Sequence, residues 1–114
     1  MMKRSLILVL SLLMLVLCIP ALAESTDWNY DANYAILRSY DGAGGDVVVP
    51  AEIDGFTVDV IGISVFKGDT ITSLTLPETV LELRSNAVSS CENLASVTLP
   101  QSLVVINRMN FFSC

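Results

Sequence analysis

The chain has 114 residues, room for one small domain, with 53% hydrophobic residues and a formal net charge of −6. It has no histidine, which removes Ser-His and Cys-His nucleophile pairs and most zinc geometries. With no paired acid–base set either, the expectation is a protein that is not an enzyme and carries no cofactor or metal. The acidic balance, without any run of basic residues, also argues against nucleic acid and anionic lipid as partners.

Met1–Arg4 is short and basic, Ser5–Ile19 is almost wholly Leu, Ile, Val and Met, and Pro20 and Ala21-Leu22-Ala23 come next. This is the three-part pattern of a secretory signal peptide, with cleavage expected after Ala23. The apolar run is shorter than the roughly 20 residues of a spanning helix, the rival reading. Cys18 would suit lipidation only with a small residue before it, and Leu17 stands there. Residues 1–23 are thus read as signal and the rest as secreted or cell-surface, with no membrane association after cleavage. All 12 acidic residues lie beyond Ala23, against Arg38, Lys67, Arg84 and Arg108.

Residues 24–45 differ in pattern from the remainder of the chain. Trp28 and Tyr30 alternate with polar residues, Tyr34–Leu37 is a second β-prone run, and Asp31-Ala32-Asn33 between them suits a hairpin turn. Asp41-Gly42-Ala43-Gly44-Gly45 reads as a loop. The segment is expected to cap one end of a repeat stack.

The repeats occupy residues 46–114, divided as 46–73, 74–96 and an incomplete 97–114. Ile71-Thr72-Ser73-Leu74-Thr75-Leu76-Pro77 and Leu94-Ala95-Ser96-Val97-Thr98-Leu99-Pro100 share one pattern at a spacing of 23 residues. The correspondence continues from Val80, Leu83, Val88 and Cys91 to Leu103, Ile106, Phe111 and Cys114. An earlier copy runs Asp46–Pro50, Val58, Ile61 and Phe66, with a five-residue insertion around Ile53–Phe56. The spacing falls within the roughly 20–29 residues of leucine-rich repeats. Alternation along a strand sends Leu74 and Leu76 to one face and Ser73 and Thr75 to the other, so stacked copies fuse their apolar rows into one core. The fold class expected is mainly β: a leucine-rich-repeat solenoid of about two and a half repeats with an N-terminal β-hairpin cap.

The chain resembles the BspA-type leucine-rich-repeat proteins of bacteria. The residues that carry the resemblance are Val49-Pro50, Ile61-Gly62, Val65–Gly68, Leu76-Pro77, Ala87–Cys91, Leu99-Pro100 and Phe111–Cys114. It departs from the pattern at Asp69, near the first copy's cysteine position, and at Arg84 and Asn107, where the isoleucine-glycine step has its glycine. The resemblance implies a surface or secreted binding or adhesion module with an extracellular protein partner. The copy ending at Cys114 has no closing strand, so two further expectations are a shortened member of the family, without a function of its own, and self-association through the uncapped C-terminal end.

Four other features bear on function. The outward strand positions Ser73, Thr75, Ser96 and Thr98 form the candidate partner face. Cys91 and Cys114, one repeat apart, lie within reach of a disulfide, and the competing reading is a small buried cysteine under a turn. Leu76-Pro77-Glu78-Thr79-Val80 mimics a sortase signal but ends in valine and falls on the repeat consensus; Asp41–Asp46 has a calcium-loop composition but reads as a turn. Trp28, Tyr30, Tyr34 and Tyr40 suit either hairpin packing or a sugar-stacking platform, the latter implying a carbohydrate-binding module.

Overall fold

The computed structural model describes residues 25–114, so the segment read as a signal peptide and the cleavage expected after Ala23 lie outside the described residues. A 3-10 turn at Ser25–Asp27 leads into β1 (Trp28–Asp31), which pairs antiparallel with β2 (Ile36–Tyr40). The second strand begins later than its β-prone run. The Asp31 carboxylate accepts hydrogen bonds from the amides of Asn33 (2.9 Å) and Tyr34 (3.3 Å), and Ala35 adopts a positive φ of 54°. A side-chain-capped turn therefore claims Tyr34 and Ala35.

Three coils come after the hairpin. Each contributes one strand to a parallel sheet ordered β3 (Gly45–Val48), β7 (Ile71–Thr75), β9 (Ser96–Thr98). Each then contributes a short strand to a second sheet, through β6 (Val60–Ile61), β8 (Glu82–Leu83) and β10 (Val105–Ile106). In that sheet the order is β1-β2-β6-β8-β10, so the hairpin is its first layer. Leu37 stacks on Ile61, Ile61 on Leu83 and Leu83 on Ile106. In the other sheet Val47, Leu74 and Val97 share one row. A third contact line joins Phe66 to Val88, and the Phe111 amide donates to the Val88 carbonyl.

The five-residue insertion is a hairpin of its own, β4 (Glu52–Ile53) with β5 (Phe56–Thr57). Its turn residues Asp54 and Gly55 both take positive φ (52° and 84°), the geometry that suits the twist of a two-residue hairpin. At the coil corners Ser64, Asn86 and Met109 form one column of positive φ, and Gly68, Ser90 and Ser113 a second. Serine thus holds a left-handed position that glycine fills in the first coil.

Gly62 has another reason to be glycine. A Cβ there would lie 2.7 Å from the Leu37 carbonyl oxygen and 2.8 Å from Ile36 Cγ2, because the β1–β2 hairpin is packed directly against it. Arg84 and Asn107, one and two coils further on, repeat its backbone bond without a hairpin beside them, donating to the carbonyls of Ile61 and Leu83.

The core is wholly apolar: Leu37, Val47, Val49, Ile53, Val58, Ile61, Val65, Phe66, Ile71, Leu74, Leu76, Val80, Leu83, Ala87, Val88 and Cys91 are buried. Trp28, Tyr40 and Phe66 close its first-coil end, with ring centroids 4.8 Å (Trp28–Tyr40), 5.8 Å (Tyr40–Phe66) and 6.3 Å (Trp28–Phe66) apart. Among the described residues no helix is long and apolar enough to cross a membrane.

Candidate functional site

The repeat pattern places Ser73, Thr75, Ser96 and Thr98 outward on adjacent strands, and the ladder registers Ser73 against Ser96 and Thr75 against Thr98. β3 extends this face by a rung that the two matching heptapeptides do not reveal. Asp46 stacks beside Ser73 and Val48 beside Thr75, giving the rows Asp46–Ser73–Ser96 and Val48–Thr75–Thr98. Ser73 Oγ donates to Asp46 Oδ1 at 2.6 Å, fixing one end of the polar row. Val48 is 65% exposed, so an apolar side chain stands at the end of the other.

β3 is also the edge of its sheet. The amides of Gly45 and Val49 donate toward the second coil, to the carbonyls of Thr70 (2.7 Å) and Thr75 (2.9 Å). In a parallel ladder alternate residues bond to opposite sides, so the backbone N–H and C=O of Asp46 and Val48 point away from β7. Among the described strands β3 pairs with β7 alone. Along this edge lies a hollow of about 400 Å³ bounded by Asp27, Trp28, Tyr40, Asp46, Val47, Val48 and Pro50. The far wall is held in place by the Asp41 amide donating to the Asp27 carbonyl (2.8 Å) and the Gly44 amide donating to the Tyr40 hydroxyl (3.1 Å). Gly42 packs on the Tyr40 ring, where a Cβ would collide with it.

The four N-terminal aromatics do not form one platform. Trp28 and Tyr40 close the core, Tyr30 stacks on Phe56 (5.5 Å, 17°), and Tyr34 lies under the Arg38 guanidinium at 5.3 Å. Tyr30 also donates its hydroxyl to the Thr57 carbonyl at 3.3 Å. Its ionisation is pushed above the ordinary value by burial and, secondarily, by the charge of Asp59.

Cys91 and Cys114 are free thiols, Cys91 buried and Cys114 exposed. Burial, reinforced by the neighbouring Cys114, pushes the Cys91 thiol up to about 11. The sortase-like stretch is built into the second coil. Leu76 and Val80 are buried, and Thr79 Oγ1 donates to the Val58 carbonyl at 2.6 Å. In the Asp41–Asp46 loop, Asp46 is taken by Ser73. No three His, Cys, Asp or Glu side chains come together as a metal site among the described residues.

A face of small polar side chains on stacked parallel strands, bordered by an open strand edge, belongs to a repeat scaffold that binds by surface. Residues 53–114 match the family model described as BspA type leucine rich repeat region (6 copies). The chain belongs to this family, as its repeat residues imply. A search of solved structures finds similarity to the crystal structure of a T. pallidum leucine rich repeat protein, with 29% sequence identity and a TM-score of 0.62. The match covers 69% of this chain and 38% of that one, so the chain spans well under half the length of that relative. No curated protein matches the chain. Family and fold together imply a repeat module of the protein-binding kind.

Proposed function

We propose that the chain is an exported binding and adhesion module that takes an extended segment of an extracellular protein partner along the open edge of β3. The observation that carries this reading is the hollow between that edge and the Trp28–Tyr40 wall. The free N–H and C=O groups of Asp46 and Val48 offer a ladder to an added strand. Val48 and the aromatic wall offer apolar contact, and Asp46, Ser73, Ser96, Thr75 and Thr98 supply polar contacts along the outward face. Export rests on the signal pattern of residues 1–23, and a chain beginning at Glu24 in the exported fraction is its test.

Val48→Pro tests the binding mode. It removes a backbone N–H that the fold does not use, at an edge position where proline is tolerated. Capture of the partner from the surrounding extracellular proteins should fall at least about tenfold in Val48→Pro, the loss of roughly one to two hydrogen bonds and their neighbours. Val48→Ala, which keeps the N–H, should bind more nearly like wild type. Unchanged capture by Val48→Pro would overturn the reading.

A second reading rests on the third coil. Leu99, Val104, Val105, Ile106, Met109 and Phe112 are 40–78% exposed and form an apolar surface unlike the rest of the solenoid. Such a surface favours self-association. Sedimentation velocity across a concentration series tests it, and a monomer at every concentration would remove it.

A further inference from the structure

The left-handed corners of the coils bring two thiols into register. Gly68, Ser90 and Ser113 share a positive φ (103°, 53° and 56°), and the residues that follow them are Asp69, Cys91 and Cys114. The first coil has a carboxylate where the second and third have thiols, so each cysteine has one partner in this column. The third cysteine of the chain, Cys18, lies in the segment read as a signal peptide.

Three hydrogen bonds seat the third corner on the second immediately ahead of the thiols. The Phe111 amide donates to the Val88 carbonyl (2.6 Å), the Ser90 amide to the Phe112 carbonyl (2.8 Å), and the Val88 amide to Asn110 Oδ1 (3.0 Å). Stacked rungs lie about 4.8 Å apart, inside the roughly 4.4–6.8 Å between Cα atoms that a disulfide spans. The two side chains also take the same direction. Cys91 Sγ donates to the carbonyl two residues back, that of Ser89, at 3.6 Å, and Cys114 Sγ donates to that of Phe112 at 3.7 Å. They are close enough for Cys114 to act directly on the Cys91 thiol, by charge and by hydrogen bonding. Their access to solvent differs: Cys91 is buried and Cys114 exposed. The described residues cover the third coil on one side only, which leaves Cys114 room to shift toward its partner.

We propose that Cys91 and Cys114 form a disulfide that fastens the third coil to the second. The oxidant is a molecule with a disulfide bond of its own, a low-molecular-weight disulfide or a thiol–disulfide oxidoreductase. Cys114, as the thiolate, attacks one sulfur of that bond and expels the other as a thiolate, leaving a mixed disulfide. Cys91 then gives its proton to solvent and attacks Cys114 Sγ, expelling the oxidant's second sulfur. The two protein thiols lose two electrons, and the oxidant's disulfide gains them and takes up two protons to become two thiols. Exposure sets the order, because burial disfavours the Cys91 thiolate and leaves the first attack to Cys114. The link closes a loop of 23 residues that contains the exposed Leu99, Val104 and Phe112. An oxidising setting follows from the export reading, but the pairing does not depend on it.

The test uses the exported product of the full gene, incubated with dithiothreitol or with oxidised glutathione, alkylated, and digested with trypsin without reduction. Cleavage after Arg84 and Arg108 places the cysteines on separate peptides, one beginning at Ser85 and one at Met109. The glutathione sample should yield these two peptides joined, lighter than their sum by two hydrogens. The dithiothreitol sample should yield them apart, each alkylated. Under native conditions, cleavage after Arg108 should be at least about tenfold slower in the oxidised chain, since the link restrains the opening that admits the protease. Alkylation of both cysteines after glutathione, a glutathione adduct that persists on Cys114, or Cys114 joined to a second copy would each overturn the pairing. Equal cleavage rates with the link in place would overturn the fastening. All of these comparisons are made on the wild-type chain, so none needs a variant to fold.

Discussion

The second and third coils carry nearly the same apolar pattern and bury it to very different extents. Leu76 is 3% exposed and its counterpart Leu99 is 40% exposed; Leu83 is fully buried and its counterpart Ile106 is 49% exposed. The second coil has a rung on each side, Val47 and Val97 flanking Leu74, Ile61 and Ile106 flanking Leu83. The described residues place a rung on one side only of the third. An apolar residue of a solenoid is thus assigned its face by alternation along the strand, while its burial depends on a neighbour above and below. The first coil shows the converse: the β1–β2 hairpin and the Trp28–Tyr40–Phe66 cluster cover it on the side away from the second coil.

The sharpest way to break this comparison is to make one truncation in both coils. Leu76→Ala should cost roughly 2–5 kcal/mol in chemical denaturation, the range for a fully packed leucine. Leu99→Ala should cost about 1 kcal/mol or less, since much of that side chain already meets water. Equal costs would mean that the neighbour above contributes nothing.

A smaller effect is expected at Asn110. In the second coil the Ala87 carbonyl accepts the Phe66 amide; in the third, Asn110 Oδ1 accepts the Val88 amide at 3.0 Å in the corresponding place. Asn110 Nδ2 also donates to the carbonyls of Arg84 and Asn107, both at 3.0 Å. Asn110→Ala leaves these groups partly unpaired and should cost about 1–3 kcal/mol. Asn110→Asp should recover part of this through the retained acceptor. Loss no larger than at an exposed surface position would show that the side chain holds nothing.

The smallest effect is pH-dependent. Cys91 has its thiol raised from an ordinary 9.0 to about 11, so folding favours the neutral form. That contribution is fully present below about pH 9 and is lost as pH rises through about 11. Wild type should therefore lose stability over this interval relative to Cys91→Ala, a pair in which tyrosine ionisation is common to both. Parallel curves for the two would refute the assignment.

Much of this fold is legible in the sequence, for a particular reason. The 23-residue spacing fixes which residues stack, so Leu74 over Val97, Leu83 over Ile106 and the face of Ser73, Thr75, Ser96 and Thr98 come from counting. Juxtapositions that depend on the hairpin do not. Arg38 belongs to no repeat, and only the pairing of β2 with β6 brings it into the column of Gly62 and Arg84. Val48 reads as part of an apolar strand, and its exposure comes from alternation within Val47-Val48-Val49. The insertion does carry a signal, Asp54-Gly55 between β-prone residues, which marks a two-residue hairpin. Asn110 gives none, because its amide replaces a backbone group and the pattern of apolar residues does not register that.

Amide hydrogen exchange, resolved by residue at several protein concentrations, tests the central claim most directly. Leu76, Arg84 and Ser89 in the second coil donate to carbonyls of neighbouring coils, as Val104, Asn107 and Phe111 do in the third. With hydrogen bonds common to both sets, the difference in stacking is isolated. The second-coil amides should exchange only with global unfolding, and the third-coil amides markedly faster through local opening, their protection rising if copies associate. Equal, concentration-independent protection of both sets in a monomer would contradict the account, showing that stacking between two rungs does not set a coil's protection.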